Sequence, residues 1–332
     1  IDDPTLYFST TTYTGDGNQN RAVTIDGTGM QPDWLWVKNR SAAEGHVVGD
    51  SVRGATIRLI PNDNGAEATR ATNIASFTSD GFTVANGGVD GAVNTDAATY
   101  VSWAWKKVAG VFDIVTYAGN NTGSRQVSHN LGVVPSLIII KNRTNASSWW
   151  VGSTEIPFTW NTDYLQLNET AAKGTDGGGH IFGAAPTSSY FVPGDNNDTN
   201  GNSNNYVAYL FGNKQGVSKV GSYLGNGNAD GTYIHLGFKP AFFMLKGAFG
   251  EPWLMYDNKR LGYNVRNDQL IANTAGAEDG STASWYIDIL SNGVKLRGND
   301  TAINGTNSAG YIYMAFAENP FVTSGGVPAT AR

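Results

Sequence analysis

The sequence predicts an all-β protein built from three tandem, related β-sandwich-like units. A set of short motifs occurs three times in phase, with a period of about 105 residues, close to the usual size of a domain. The apolar runs are short and rich in β-branched and aromatic residues, and turn residues separate them. No segment shows the apolar periodicity of an amphipathic helix of about ten residues or more. Many short strands separated by turns are typical of sandwiches and barrels.

Three motifs recur in each unit. The first is Tyr-x-Gly followed by Asp or Asn, the second is Gly-x-x-Pro with an apolar run that ends in Lys, and the third is an aromatic strand. In chain order they are Tyr13–Gly17, Gly29–Lys38 and Tyr100–Trp105; Tyr117–Asn121, Gly132–Lys141 and Tyr206–Phe211; and Tyr223–Gly227, Gly237–Lys246 and Tyr311–Phe316. This phase predicts units at residues 1–107, 108–216 and 217–332. The junctions lack the composition of flexible linkers, so we expect the units to pack rigidly.

The strand assignments follow from residue type and position. The run Leu137–Ile140 is β-branched and lies between Pro135 and Asn142, which predicts a strand buried on both faces. The glycine of each Gly-x-x-Pro motif allows a positive φ in the turn before the strand. Trp103 and Trp105 stand two residues apart in an aromatic strand, so they should share one face of it.

Turn residues predict the connections. Four Asx-Gly pairs between apolar segments are strong hairpin signals, and they are Asp16-Gly17, Asp80-Gly81, Asn226-Gly227 and Asn292-Gly293. A shared Asn followed by an Ala-rich or Glu-containing segment, at Asn62, Asn168 and Asn273, predicts at most one capped helical turn in each unit. The Asn-rich tract Gly194–Asn205 predicts an exposed loop.

Composition excludes several classes of partner. Only 15% of the residues are charged, against about 25% in a typical soluble protein, and the net charge is −6. Without a basic face to neutralise phosphates, we expect no nucleic-acid partner. Cysteine is absent, which excludes disulfides and thiolate metal sites. No apolar segment approaches the roughly 18 residues of a membrane span, so we expect no membrane insertion. The first residue is Ile, and we expect a fragment or a processed product.

Tryptophans are the first candidates for ligand binding. Trp149 with Trp150, and Trp253, occupy one slot after the apolar run of their units. Exposed aromatic rings can stack on sugar rings, which would make these residues a binding platform. Aromatic residues at strand spacing are also typical of a core. The sequence leaves both interpretations open.

A second slot holds an acidic and a basic residue. Asp50 with Arg53, and Asp257 with Arg260, have the same spacing, whereas unit two has Gly152-Ser-Thr-Glu155 in this slot, so the pattern breaks there. Such a pair could bind a sugar or orient a loop, and a local ion pair or turn cap is the simpler interpretation.

No motif for catalysis stands out. His129 and His235 occupy equivalent positions, but no carboxylate or serine accompanies them, which favours a structural role. No motif marks a pair of carboxylates for glycoside hydrolysis. The loop Asn196–Gly201 partly resembles a calcium loop, yet Val207 stands where the acidic twelfth residue is expected. The sequence therefore predicts a protein that is not an enzyme and has no cofactor and no metal site.

Several motifs in combination resemble a known module. They are Tyr13–Gly17, Pro32–Arg40, Asp50–Gly54, Ser76–Phe82, Tyr206–Phe211, Gly221–Gly227 and Tyr311–Phe321. Together they resemble a module of unknown function that is found in virion proteins of marine bacteriophages. The resemblance covers nearly the whole chain and implies a location on the surface of a virus particle. That family has no established catalytic residues, so the resemblance implies no active site.

These observations predict a bacteriophage virion structural protein, a tail fibre or similar surface appendage that attaches to a host surface. The expected partners are other copies of the chain in a homotrimer, other virion proteins, and a host-surface glycan. Alternatives are a head decoration or cement protein, a stand-alone extracellular carbohydrate-binding module, and a depolymerase.

Overall fold

The computed structural model describes residues 3–27, 29–86, 92–261, 263–323, 325–326 and 328. Strands make up 43% of the structure and helices 2%, which confirms the all-β, sandwich-type prediction. The helical residues lie in two short 3-10 helices, Pro4–Leu6 and Ala283–Trp285. We refer to residues 1–107, 108–216 and 217–332 as units one, two and three, and their exact bounds stay a prediction.

Unit one contains a large sheet and a small sheet. Its strands are β1 (Phe8–Thr14), β2 (Arg21–Thr24), β3 (Trp34–Asn39), β4 (Val47–Asp50), β5 (Gly54–Leu59), β6 (Ala68–Thr69), β7 (Ile74–Thr78), β8 (Gly81–Val84) and β9 (Thr99–Trp105). The large sheet has the order β1-β9-β3-β4-β5-β6, and the small sheet has the order β2-β8-β7. Neighbouring strands are antiparallel throughout.

Unit two has the same arrangement. Its strands are β10 (Phe112–Ala118), β11 (Val127–Ser128), β12 (Leu137–Asn142), β13 (Trp149–Ser153), β14 (Asp163–Gln166), β15 (Gly174–Thr175), β16 (Phe182–Ala184), β17 (Tyr190–Pro193) and β18 (Asn205–Phe211). The sheets have the orders β10-β18-β12-β13-β14-β15 and β11-β17-β16, in which each strand takes the place of its counterpart in unit one.

Unit three follows the same order with one strand fewer in its large sheet. Its strands are β19 (Ser218–Tyr223), β20 (Tyr233–His235), β21 (Phe238–Gly247), β22 (Leu254–Asp257), β23 (Leu270–Ile271), β24 (Ile287–Leu290), β25 (Gly293–Leu296) and β26 (Tyr311–Pro320). The sheets have the orders β19-β26-β21-β22-β23 and β20-β25-β24.

Successive side chains of the central strands point to opposite faces, and the buried apolar residues form one shared core and three separate cores. In β3, Trp34 and Trp36 face the shared core, while Leu35 and Val37 face the small sheet of the same unit. Residues of β12 and β21 divide in the same way. The prediction that these strands are buried on both faces is therefore confirmed, because successive side chains point to opposite faces. Trp103 and Trp105 share the inner face, as predicted.

The shared core joins the inner faces of all three large sheets. Trp105, Phe211 and Phe316 occupy equivalent positions in β9, β18 and β26, and Phe316 lies 5.6 Å from Trp105 and 6.2 Å from Phe211 between ring centroids. Trp34 of unit one lies 4.7 Å from Tyr209 of unit two. Because aromatic rings of different units cover one another, the three sandwiches form one body around a common centre.

The repeated Tyr-x-Gly motif has a structural role. Its tyrosine stacks on the tyrosine of the aromatic strand, with centroid distances of 5.0 Å for Tyr13–Tyr100, 5.1 Å for Tyr117–Tyr206 and 4.7 Å for Tyr223–Tyr311. In unit two, Asn200 is fully buried, donates from Nδ2 to Asn120 Oδ1 at 3.1 Å, and accepts the Asn120 N–H at 3.2 Å. The tract Gly194–Asn205 was predicted as an exposed loop, and this buried anchor corrects that prediction.

The predicted turns are partly confirmed. The glycines of the Gly-x-x-Pro motifs have φ values of 71°, 74° and 79°, at Gly29, Gly132 and Gly237. Two-residue hairpins connect β7 to β8 and β24 to β25, as predicted. The pairs Asp16-Gly17 and Asn226-Gly227 do not form hairpins, because each joins strands of different sheets. A local turn signal identifies a reversal of the chain but not the sheet that the next strand enters.

We predict that Gly81→Ala destabilises the fold more than Gly132→Ala. A Cβ at Gly81 would lie 2.1 Å from the Val23 carbonyl oxygen of β2, so the small sheet would have to open, at a cost of about 3 kcal/mol. A Cβ at Gly132 meets nothing within 4 Å, and its positive φ alone costs about 1 to 2 kcal/mol. Urea unfolding of both variants measures the difference, and equal losses would contradict the steric explanation.

Candidate functional site

The three predicted tryptophans are buried. Trp149 and Trp253 lie in the shared core and are 0% and 2% exposed, and Trp150 is 9% exposed in the core of unit two. Trp150 packs edge-on against Tyr164 at 4.9 Å. Stacking on a sugar requires an exposed ring face, so the burial of all three removes the observation on which the platform interpretation depended. Core packing, the other interpretation, describes these residues.

Two of these tryptophans link neighbouring units. The Trp149 Nε1–H of unit two donates to the carbonyl oxygens of Ile60 and Asp63 in unit one, at 3.1 and 3.0 Å. The Trp253 Nε1–H of unit three donates to the Gln166 carbonyl of unit two at 2.8 Å. Each indole therefore satisfies backbone acceptors of the preceding unit in a water-excluded interface, where an unpaired polar group would be costly.

His46 of unit one occupies the equivalent position and links unit one to unit three, so the three links form a closed ring of units. Its Nδ1 accepts the Trp36 Nε1–H at 2.8 Å, which requires the proton on Nε2, and Nε2 then donates to the Ile271 carbonyl of unit three at 3.1 Å. Burial, together with the positive charge of Lys38, lowers the pKa of His46 to about 3. The imidazole is a neutral structural link, in agreement with the structural role expected for the histidines.

The shared Asn of each unit supports this ring. The side-chain Oδ1 accepts a backbone N–H from the linking residue: Asn62 from His46 at 2.8 Å, Asn168 from Trp149 at 2.8 Å, and Asn273 from Trp253 at 2.9 Å. The predicted capped helical turn is wrong, since ordinary turns follow these residues. The Asn caps the start of a strand at the unit interface.

Both predicted Asp–Arg pairs are buried ion pairs. The distance from Asp50 Oδ2 to Arg53 Nε is 2.6 Å, and it is also 2.6 Å from Asp257 Oδ2 to Arg260 Nε. All four side chains have no exposed surface. Burial would lower the pKa of Arg260, but the carboxylates of Asp257, Asp268 and Glu278 together outweigh it and raise that pKa above its usual value. These residues fit the local ion-pair interpretation and are inaccessible to a sugar.

Each ion pair is completed by the next unit. The Tyr209 hydroxyl of unit two donates to Asp50 Oδ2 at 2.8 Å, and the Trp103 Nε1–H of unit one donates to Asp257 Oδ2 at 3.2 Å. Around the first pair, Arg143 of unit two forms two hydrogen bonds with Glu67, at 2.8 and 2.9 Å. Around the second, Arg40 of unit one binds Glu278 with two bonds of 2.9 Å. Paired, doubly bonded guanidinium groups fix the angle between units.

The interface between units two and three replaces this network with apolar groups. Ser153 and Ile156 stand at the positions of the aspartate and arginine, and Met314 at that of Tyr209. Ala248 replaces the bidentate arginine, and Lys173 turns to the Asp163 carboxylate of its own unit. A cavity of about 250 Å³ lies beside Ile156, Lys173 and Ala248. The third interface thus relies on packing where the others use charge.

Three equivalent lysines are also buried. Burial lowers the pKa of Lys38, Lys141 and Lys246 to about 8 in each case. Lys141 Nζ donates to the Asn64 carbonyl of unit one at 3.0 Å, and Lys246 Nζ donates to the Thr170 carbonyl of unit two at 3.2 Å. Lys38 instead donates within its own unit, to the Asn39 carbonyl at 2.6 Å. Among the described residues, the interface between units one and three therefore lacks the lysine-to-carbonyl hydrogen bond that the other two interfaces have.

An open pocket of about 480 Å³ lies at this interface between units one and three. The residues that define it here, and that we call the Glu44 pocket, are Glu44, Arg58, Ile60, Asn62 and Asp63 of unit one with Ala275 of unit three. Arg58 is 8% exposed and donates from Nη1 to Asn73 Oδ1 at 3.4 Å. The sequence gives no motif for these residues, and the only signal is that the loops differ between units.

One family model matches residues 3–320, and its description is a domain of unknown function, DUF7483. The chain belongs to this family. No curated protein and no solved structure matches this chain. Over the described residues, no helix has the length and apolar character needed to cross a membrane.

We predict that Asp257→Asn lowers the free energy of unfolding by about 3 to 5 kcal/mol, because it removes the fully buried counter-charge of Arg260 and leaves only the partly exposed Glu278 in an ion pair with it. The matched control is Asp230→Asn, which removes a carboxylate that is 81% exposed in its pair with Lys295 and should cost less than about 1 kcal/mol. Urea unfolding at neutral pH compares them. Similar losses would show that the buried pair does not hold units one and three together.

We predict that the contribution of the buried lysines to the free energy of unfolding rises between pH 8 and pH 10.5, the interval between their lowered and their ordinary pKa. In that interval these lysines bind more protons in the unfolded chain than in the folded one, so raising the pH relieves the cost of burying an ammonium group. Lys141→Met should flatten the rise, and Lys259→Met, at a lysine that is 37% exposed, should not. Comparing variants with the wild type cancels the ionisation of tyrosines. An identical slope in Lys141→Met would contradict this.

Proposed function

We propose that this protein is a bacteriophage virion structural protein, a tail fibre or similar surface appendage that attaches to a host surface. The resemblance of its repeated motifs to a virion module supports the location. The observation that carries the proposal is the structural use of the repeated residues: the stacked tyrosines brace each unit, and the linking residues and the networks around the buried ion pairs join neighbouring units. A scaffold of this kind presents loops rigidly.

Attachment through loops agrees with the surface chemistry. The chain has few charges, and its strongest ion pairs are buried between units, so the surface is built mainly from Asn, Thr, Ser and Gly. Uncharged polar loops suit a neutral, hydroxyl-rich partner such as a host-surface glycan. Weak contacts of this kind gain strength when several copies are tethered on one particle.

A homotrimer remains part of the proposal, with other virion proteins as further partners. Because the three units already cover one another's inner faces within one chain, copies would associate through outer surfaces. A head decoration or cement protein is the alternative, since the same rigid body could sit on a capsid lattice. A stand-alone carbohydrate-binding module is the second alternative, and the Glu44 pocket is the feature that favours it.

The test is immunogold labelling of intact particles of the phage that encodes this chain. We expect gold at the tail fibres or appendages, and we expect the purified protein to bind host cells and to slow adsorption of the phage. Label over the head without competition for adsorption would support the decoration protein. Unlabelled particles, with label only in the medium, would overturn the virion proposal and favour the stand-alone module.

A further inference from the structure

We propose that the Glu44 pocket binds a neutral saccharide through its hydroxyl groups. The proposal rests on the attachment function, because it names the ligand class that the appendage would recognise. It is carried by three observations: the pocket lies at a position that a side-chain bridge closes in unit two, it is lined by polar groups of both hydrogen-bonding kinds, and it carries charges of both signs.

The equivalent position in unit two shows how the gap is closed elsewhere. There Gln166 ends β14 and donates from Nε2 to Ser148 Oγ at 2.8 Å, which bridges this strand end to the segment before β13. The register of the large sheets places Ile60 at the position of Gln166, and unit one has Gly45 at the position of Ser148. Neither residue can form this bridge, so the gap stays open in unit one.

A backbone hydrogen bond between neighbouring units is also replaced at this position. In unit two the Ser147 N–H donates to the Asn64 carbonyl of unit one at 2.8 Å, next to the lysine contact. In unit one the corresponding Glu44 N–H donates to the Ala42 carbonyl of its own loop at 3.0 Å. Ala275 of unit three therefore borders the pocket without this backbone contact. The opening follows from specific replacements on both sides of the interface.

The lining offers acceptors and donors. Glu44 is partly buried, and no hydrogen bond or ion pair of its carboxylate occurs among the residues that the structure describes. Asp63 Oδ1 accepts the Gly65 N–H. Asn62 uses its Oδ1 for the His46 N–H, which orients the amide and leaves its NH₂ group as a donor. Each sugar hydroxyl both donates and accepts, so carboxylates beside an amide and a guanidinium suit it.

The balance of charge favours a neutral ligand. Two carboxylates, Glu44 and Asp63, lie with the Arg58 guanidinium in the pocket, and the Glu44 carboxylate also acts on the ammonium of buried Lys38. An anionic ligand would face two carboxylates, and a cationic one would face the Arg58 guanidinium. The volume of about 480 Å³ lies in the range of small-molecule sites.

The experiment is saturation-transfer NMR on the full chain with methyl glucoside, methyl galactoside, methyl mannoside and N-acetylglucosamine, with glucuronic acid as an anionic comparison. We expect at least one neutral sugar to bind. Glu44→Gln, and separately the double variant Gly45→Ser/Ile60→Gln, which introduces both side chains of the unit-two bridge, should each weaken it about tenfold or more. Glu169→Gln is the matched control, because Glu169 follows Asn168 as Asp63 follows Asn62. It should leave binding unchanged.

Three results would overturn the proposal: no neutral sugar binds, only the acid binds, or the pocket variants bind as well as the wild type while thermal unfolding shows them folded. Shortening of a host polysaccharide by the protein would also overturn it, since two carboxylates would then act in hydrolysis. The attachment function is tested separately. Labelled particles without sugar binding would refute the pocket alone, and sugar binding with unlabelled particles would refute only the virion location.

Discussion

The structure depends on the inner faces of three large sheets, which no single unit can cover. In each unit the outer face is covered by the unit's own small sheet, but the inner face carries residues such as Trp34, Ile139 and Met244 that only the other units bury. A separated unit would expose a broad apolar surface, which soluble proteins rarely tolerate. The chain therefore has to close three sandwiches around one centre, and the repeated contacts serve that closure.

Closure also explains why a chain with few charges places several of them in its interior. Burying Asp50 with Arg53 is costly unless all polar atoms are satisfied, and Tyr209 and Glu67 of the surrounding network provide the remaining bonds. The third interface shows that packing can replace the whole set, since Ile156 and Met314 lie in the same core. Apolar replacement of a buried pair is often neutral in stability. The charged networks therefore contribute orientation between units at least as much as stability.

Sequence periodicity predicted the strands, their phase and the faces of residues such as Trp103 and Trp105, because these depend on neighbours along the chain. It could not show which unit would meet each buried side chain. The repeat singled out Trp149 and Asp257, each at its own repeated position. Their partners come from other units: the Trp149 indole donates to the Ile60 carbonyl, and Asp257 accepts from Trp103. The helical turn predicted after Asn62 was wrong for a related reason: the N–H that Asn62 caps belongs to His46, which lies 16 residues earlier in the same unit, just before β4. The Glu44 pocket was missed because it depends on a bridge that unit one lacks.

In this fold the repeated residues therefore serve the scaffold, and a ligand site is expected among residues that differ between the units. A contact that closes the ring has to occur at each interface in some form, so residues that recur in all three units are explained by the scaffold. A ligand site that occurs once has to lie where the repeats differ. Two such places stand out among the described residues: the apolar cavity beside Ala248 and the polar pocket beside Glu44. The first arises where packing replaced an ion-pair network that already served closure. The second arises where the bridge of unit two has no counterpart and ionisable groups line the gap. That difference makes the Glu44 pocket the place where this scaffold departs most clearly from its own repeat.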